Sequence, residues 1–202
     1  MSESALTIIV PTINSADFIG IVLDYYRAND ISITVFVDGK TTDDTHAVAS
    51  RYFPVRSISN PATRVGEVIE AMSRQTTSKW VLRIDDDELP SVEMMRFVME
   101  VVQRDDADVY GFSRYECAVS QSGKLLHHPD HDADDHRQWR LYQPAVVNYT
   151  SQGHTPGFDR HGLRVVEAPR SACLIHLDWV LHSYQARKEK VERYDRHTPG
   201  HG

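Results

Sequence analysis

The strongest constraint on the fold is a regular alternation of apolar runs and helical patterns over the first hundred residues. Short apolar or β-branched runs, typical of strands, lie at residues 6–13, 31–38, 55–58 and 80–85. Segments with apolar residues at helical spacing follow each of these runs, at residues 16–28, 43–52, 64–74 and about 90–103. This order predicts an α/β protein with a mostly parallel central sheet and helices on both faces.

The second half of the chain contains shorter elements and more polar loops. We predict a long strand, several short strands and a closing helix, at residues 108–119, 139–142, 146–150, 173–177 and 180–194. Loops are predicted at residues 120–137 and 153–162. A chain of 202 residues suits a single domain, which we divide into halves at about 1–110 and 111–202.

Charge and composition exclude several classes of protein. A formal net charge of −7 argues against a nucleic-acid partner, which would need a basic surface. The two cysteines, Cys117 and Cys173, do not form a secreted disulfide framework. No basic segment precedes the first apolar run, and no apolar stretch reaches the ~20 residues of a membrane span. We therefore expect a cytoplasmic protein, with peripheral membrane contact through the charged closing helix as an open alternative.

An acidic run, Asp85-Asp86-Asp87-Glu88, follows the apolar strand at residues 80–85. If the run is extended, Asp85 and Asp87 project to the same side and converge on one ligand. Their oxygens suit Mg²⁺ or Mn²⁺. The alternative is a solvated turn that caps the next helix. The position favours a site, because Asn14 and Asp38 also follow strands, and ligands bind beyond the carboxyl ends of parallel strands.

These motifs resemble the family 2 glycosyltransferases of GT-A (Rossmann-like) fold. The D-x-D element of the family corresponds to Asp85-Asp86-Asp87, and its first strand to Val10-Pro11-Thr12-Ile13-Asn14. Its second-strand element corresponds to residues 37–45, and the resemblance extends over about residues 5–110. Residues 139–142, 154–156 and His176 further resemble small bacterial transferases of cell-surface polysaccharide or lipopolysaccharide sugars. The resemblance implies a donor half at about 1–110 and an acceptor half at about 111–202.

The resemblance implies a role for each matching residue on the donor side. Asp38 accepts a hydrogen bond from the nucleotide base, Asp85 holds the ribose, and Asp86 also belongs to the substrate site. Asp87 binds the metal that bridges the diphosphate. The nucleoside pocket is lined by Pro11, Thr12 and Asn14.

Four further residues have a functional and a structural interpretation. Arg64 contacts the base or the phosphates, or is an exposed charge at the start of a helix. His176 completes the metal shell, or is a structural histidine at a strand end. His154 contacts the donor phosphate or the acceptor, or is an ordinary loop residue. Trp179 stacks on a sugar face, or packs in the core.

The polar loop at residues 120–137 contains four histidines and four aspartates. It is interpreted as a solvated loop, as a zinc site, or as an acceptor loop that carries the catalytic base. In the third interpretation the base is Asp134 or Asp135, ahead of Arg137 and Arg140. Glu116, Asp159 and Asp178 are the next candidates for the base.

The sequence thus predicts an enzyme, a glycosyltransferase that depends on Mn²⁺ or Mg²⁺. Its donor is a nucleotide-sugar, with a UDP-sugar as first choice, and its acceptor is the hydroxyl of a glycan or of a lipid-linked molecule, with inversion expected. One rival is a nucleotidyltransferase, which normally has a basic, Gly-rich loop where this chain has residues 11–18, PTINSADF. The other rival is a nucleotide- or metal-binding module without turnover.

Overall fold

The central sheet joins both halves of the chain. The computed structural model describes residues 5–58, 65–104, 106–120, 122–127, 137–150 and 156–197. The strands are β1 Leu6–Thr12, β2 Thr34–Asp38, β3 Val55–Ile58, β4 Trp80–Arg83, β5 Glu88–Pro90, β6 Val109–Val119, β7 Leu125–His127, β8 Gln138–Tyr142, β9 Asn148–Tyr149, β10 Phe158–Asp159, β11 Val165–Glu167 and β12 Cys173–His176. The helices are α1 Ile19–Ala28, α2 Thr45–Ala49, α3 Val65–Ser73, α4 Val92–Val101, α5 Asp178–Leu181 and α6 Tyr184–His197.

The strand order explains where the site forms. The sheet runs β3-β2-β1-β4-β8-β6-β12-β5, and its first four strands are parallel. Strand β8 is antiparallel to both β4 and β6, whereas β12 is parallel to β6 and β5 is antiparallel to β12. The predicted α/β sheet is confirmed, with its parallel part in the first half. The carboxyl ends of β1, β2 and β4 consequently meet at one edge.

The apolar runs of the central strands cover both faces of the sheet. In β1, Ile8 and Val10 belong to a core cluster that also contains apolar residues of α1 and α4. Ile9, between them, belongs to a second cluster that contains Ile69 and Met72 of α3. Because alternate side chains of a strand point to opposite faces, a strand with helices on both sides must be apolar throughout.

Several elements of the second half differ from the sequence-based predictions. The closing helix predicted at 180–194 is divided into α5 and α6, because His182 between them has an extended backbone. The strand predicted at 146–150 is reduced to Asn148–Tyr149. The loop predictions missed β7 and β10, and the short strands β5 and β11 were not predicted either. These strands have only two or three residues, so partner strands rather than local patterns define them.

The helices of the described segments do not meet the requirements for crossing a bilayer. None of them combines sufficient length with sufficient apolarity to span a membrane.

Candidate active site

The loops that follow β1 and β2 are fastened to each other by hydrogen bonds. The Asn14 side-chain oxygen accepts the Thr42 N–H at 2.8 Å, and the Thr45 hydroxyl oxygen accepts the Ser15 N–H at 2.7 Å. Asn14 adopts a left-handed backbone with φ of 50°, which asparagine tolerates better than most residues. Asn14 therefore shapes the edge of the predicted nucleoside pocket by joining its two loops.

The predicted base-binding residues lie at the ends of these two strands. Asp38 is the last residue of β2, is half-buried, and accepts the Lys40 N–H at 2.8 Å. In the β1–β2 pair, Pro11 lies opposite Phe36 and Thr12 lies opposite Val37. The sheet therefore brings Pro11, Thr12 and Asp38 to one edge. Their roles toward the nucleotide stay predictions.

The acidic run is a turn and not an extended segment. The Glu88 N–H donates to the Asp85 carbonyl oxygen at 3.1 Å, which closes a four-residue turn between β4 and β5. The expectation that Asp85 and Asp87 project to the same side of an extended stretch is therefore wrong. The turn gives Asp85, Asp86 and Asp87 three different surroundings.

Asp86 points toward the end of β1. Its Oδ2 atom accepts hydrogen bonds from the hydroxyls of Thr12 at 2.6 Å and Ser15 at 2.5 Å. Burial and then the charge of Asp87 raise the pKa of Asp86 to about 7, although the two hydroxyl bonds oppose that shift. In this position Asp86 connects the acidic turn to the loop after β1. Its part in substrate binding stays a prediction.

Asp85 is held by a buried arginine from β8. The Arg140 guanidinium, which is 2% exposed, donates to the two Asp85 oxygens at 3.2 and 2.6 Å. The same guanidinium donates to Glu88 at 2.8 Å, and Glu88 also accepts the Asp85 N–H at 3.1 Å. A planar guanidinium fixes a carboxylate through two parallel bonds, so the orientation of Asp85 is set before any ligand arrives.

Asp87 meets His176 and Asp178 where β5 pairs with β12. The Leu177 N–H donates to the Asp87 carbonyl oxygen at 2.8 Å, and His176 Nε2 lies 3.2 Å from Asp87 Oδ2. One ligand atom from each of the three side chains lies within 4.8 Å of the other two. Ligand atoms bound to one Mg²⁺ at about 2.1 Å are separated by at most about 4.2 Å, so after a small closure these three atoms could share one divalent cation.

The second ring nitrogen of His176 is also engaged. His176 Nδ1 lies 2.5 Å from Glu116 Oε2, and the other Glu116 oxygen lies 2.9 Å from an Arg114 guanidinium nitrogen. Burial disfavours the charged imidazole, but hydrogen bonds to Asp87 and Glu116 outweigh burial and raise the pKa of His176 to about 10. A cation that binds at Nε2 must therefore displace a proton, as is usual at metal sites.

Trp179 lies beside this group, at the start of α5. Its side chain is 45% exposed, and the Arg187 guanidinium carbon lies 3.8 Å from the ring centroid. The core interpretation of Trp179 therefore does not apply. Stacking on a sugar stays a prediction, and it would use ring surface that Arg187 does not cover.

Four of the predicted site residues fall outside the described residues. They are Arg64, His154, Asp134 and Asp135. Two residues of the site, Asp178 and Glu116, were expected from the sequence only as alternative bases. The signal that could have found them is the spacing of His176-Leu177-Asp178, at the end of β12, and of Arg114-Tyr115-Glu116, inside β6, which places polar residues two apart.

The central sheet and its flanking helices have the fold of GT-A glycosyltransferases. The chain belongs to the Glycosyl transferase family 2, whose family model matches residues 7–161. The predicted family and fold are thereby confirmed.

The chain is similar to several solved structures of low sequence identity, and the two TarS structures among them have TM-scores above 0.5. S. aureus TarS 1-349 has 13% identity and a TM-score of 0.57, over 86% of this chain and 60% of that one. The same protein in complex with UDP-GlcNAc has 13% identity and a TM-score of 0.58, over 85% of this chain and 58% of that one. Another similar structure is glucosyl-3-phosphoglycerate synthase from Mycobacterium tuberculosis in complex with Mn²⁺, UDP and phosphoglyceric acid. It has 19% identity and a TM-score of 0.45, over 55% of this chain and 43% of that one. The chain thus spans about 60% of TarS 1-349. No curated protein matches it by sequence.

Proposed function

We propose that this chain is a metal-dependent transferase that moves a sugar from a nucleoside diphosphate to an acceptor hydroxyl. The observation that carries the proposal is the group of Asp87, His176 and Asp178 at the sheet edge that also holds Asp38 and Asp85. Family membership supports sugar transfer as the reaction. A uridine nucleotide is the first choice of donor, because TarS, which shares the fold, forms complexes with UDP and UDP-GlcNAc.

In this proposal, different residues of the sheet edge bind different parts of the nucleotide. Asp38, at the end of β2, accepts a hydrogen bond from the base. Asp85, already oriented by Arg140, accepts hydrogen bonds from the ribose hydroxyls. Two carboxylates and one imidazole, from Asp87, Asp178 and His176, suit Mn²⁺ or Mg²⁺. A cation bound there supplies positive charge next to the diphosphate, where negative charge grows as the sugar leaves.

A thermal-shift screen tests the donor class. UDP or a UDP-sugar at 100 times its Kd, with Mn²⁺, should stabilise the fold by about 2.7 kcal/mol, because it binds the folded state alone. For a domain of this size that corresponds to a rise in Tm of about 5–11 °C. ADP and GDP serve as matched ligands, and a chelator replaces Mn²⁺ as the control. Shifts of equal size with chelator, or no shift with any nucleotide, would contradict the proposal.

The acceptor half supplies the remaining chemistry in this proposal. A hydroxyl of a glycan or a lipid-linked molecule attacks the sugar from the face opposite the diphosphate, which gives inversion. Asp134 or Asp135 takes the hydroxyl proton, and Trp179 contacts a sugar. Synthesis of a cell-surface glycan, with peripheral membrane contact, is the setting that we propose for such an acceptor.

Separate Asp134→Asn and Asp135→Asn variants test the base. One of them should lose about 10²–10⁴ in transfer rate, because asparagine keeps the size of aspartate but cannot take a proton. Its UDP affinity, measured by calorimetry, should stay at the wild-type value. Full transfer by both variants would place the base elsewhere, and loss of UDP affinity in both would assign the loop to the donor.

A further inference from the structure

A chain of alternating charges surrounds the acidic turn and links its two ends. Successive members are joined by hydrogen bonds or ion pairs of 2.5–3.7 Å. The order is Asp85, Arg140, Glu88, Arg114, Glu116, His176 and Asp87. The first and last members, Asp85 and Asp87, lie on the same turn, so the chain of contacts returns to its start. One member of this chain of charges, Glu116, has no role in the proposed reaction. It nevertheless contacts His176, which is a candidate metal ligand.

Glu116 is fixed on both sides by its neighbours in the sheet. It is 5% exposed and lies directly opposite His176 in the parallel β6–β12 pair, so the two side chains share one face. Glu116 Oε2 contacts His176 Nδ1 at 2.5 Å, and Glu116 Oε1 contacts Arg114 at 2.9 Å. Arg114 also lies 3.7 Å from Glu88. With both carboxylate oxygens engaged, Glu116 cannot rotate to another partner without breaking a charged contact.

This contact occupies Nδ1 of His176 and leaves Nε2 as the ring nitrogen that faces Asp87. A carboxylate at Nδ1 keeps the proton of the neutral imidazole on that nitrogen, which leaves the Nε2 lone pair free to bind a cation. Nε2 is the ring atom that lies 3.2 Å from Asp87. We propose that Glu116 is the positioning residue of the metal site, which sets the tautomer and the orientation of His176. This inference rests on the proposed function, because it requires that His176 bind a divalent cation.

Measuring Mn²⁺ binding to the folded, metal-free chain separates positioning from a purely structural role. Free Mn²⁺ is followed by electron paramagnetic resonance, well below the Tm of each variant. Glu116→Gln keeps the size and one acceptor oxygen, whereas Glu116→Ala removes the contact. Loss of a carboxylate behind a metal-binding histidine costs about 10–100-fold in affinity. We expect the glutamine variant near the lower end of that range and the alanine variant near the upper end.

The matched control is Glu100→Gln, which removes an exposed glutamate of α4 that pairs with Arg104, beyond the end of the helix. It should bind Mn²⁺ with wild-type affinity. Imidazole ¹⁵N shifts of the metal-free chain, recorded at a pH where the His176 ring is neutral, provide a second readout. The neutral ring should carry its proton on Nδ1 in the wild-type chain and show a mixture of tautomers in Glu116→Ala. Should Glu116→Ala not fold, Glu116→Gln decides.

The outcomes separate this inference from the function on which it rests. Wild-type Mn²⁺ affinity in both Glu116 variants, with binding by the wild-type chain intact, would overturn the role of Glu116 alone. A wild-type chain that binds no Mn²⁺ would overturn the metal site and the Glu116 role together. A graded loss of affinity from glutamine to alanine, with the control unchanged, is the result that supports the inference.

Discussion

Replacement of Asp87 by alanine is expected to abolish sugar transfer and to weaken Mn²⁺ binding by at least about 100-fold. Loss of a residue behind a metal ligand costs about 10–100-fold, and Asp87 is itself one of the three candidate ligands. The fold should survive, because the substitution removes one of several like charges in the acidic turn. Mn²⁺ titration and a transfer assay with a UDP-sugar measure the two effects.

Asp24→Ala is the matched control for this variant. Asp24 is an exposed aspartate that pairs with Arg27 on α1, so its loss should change neither Mn²⁺ affinity nor transfer. Retention of wild-type transfer by Asp87→Ala would refute the assignment of Asp87 to the metal. A fall in Tm as large as that of a core substitution would instead show that Asp87 holds the fold.

Arg140→Met should destabilise the fold by about 3–5 kcal/mol, the cost of removing one partner from a buried ion pair. In a domain of this size that lowers the Tm by about 6–20 °C. The reason is that Glu88, which is fully buried, would lose the guanidinium 2.8 Å away, and Asp85 would lose two hydrogen bonds. Urea unfolding of the variant and the wild-type chain gives the difference in free energy.

Arg164→Met provides the comparison, because Arg164 also pairs with a carboxylate, Asp108, but is 51% exposed. Its cost should be about 0–1 kcal/mol, as for other surface pairs. A second variant, Arg140→Met with Glu88→Gln, should recover part of the lost stability, since it removes a buried charge that would keep only its longer contact with Arg114, at 3.7 Å. Equal costs for Arg140→Met and Arg164→Met would show that the network of charges contributes little to stability.

The first half of the fold could be predicted because its signals are local. A strand covered by helices on both faces is apolar throughout, so residues 6–13 and 31–38 were recognised without knowledge of their partners. Parallel strands joined by helices end at one edge, and this rule alone places Asp38 and Asp85 at the same edge. The family motifs lie at those strand ends, so resemblance and topology agree.

The rest of the site depends on contacts between distant parts of the chain. Arg140 reaches Asp85 across 55 positions, and His176 contacts Glu116 across 60. No local pattern encodes such pairs, and the three-residue strand β5, whose pairing with β12 brings Asp87 to His176, has no periodicity of its own. The acidic run was expected to be extended, although aspartates are common in turns.

Calorimetric titration of UDP into the wild-type chain, with Mn²⁺ and then with a chelator, tests the central claim most directly. If Asp87, His176 and Asp178 hold a cation that binds the diphosphate, UDP should bind at least about tenfold more tightly with Mn²⁺, a difference of about 1.4 kcal/mol. The Asp87→Ala variant should lose that difference and bind UDP equally in both conditions. Equal UDP affinity with Mn²⁺ and with chelator in the wild-type chain would contradict the account.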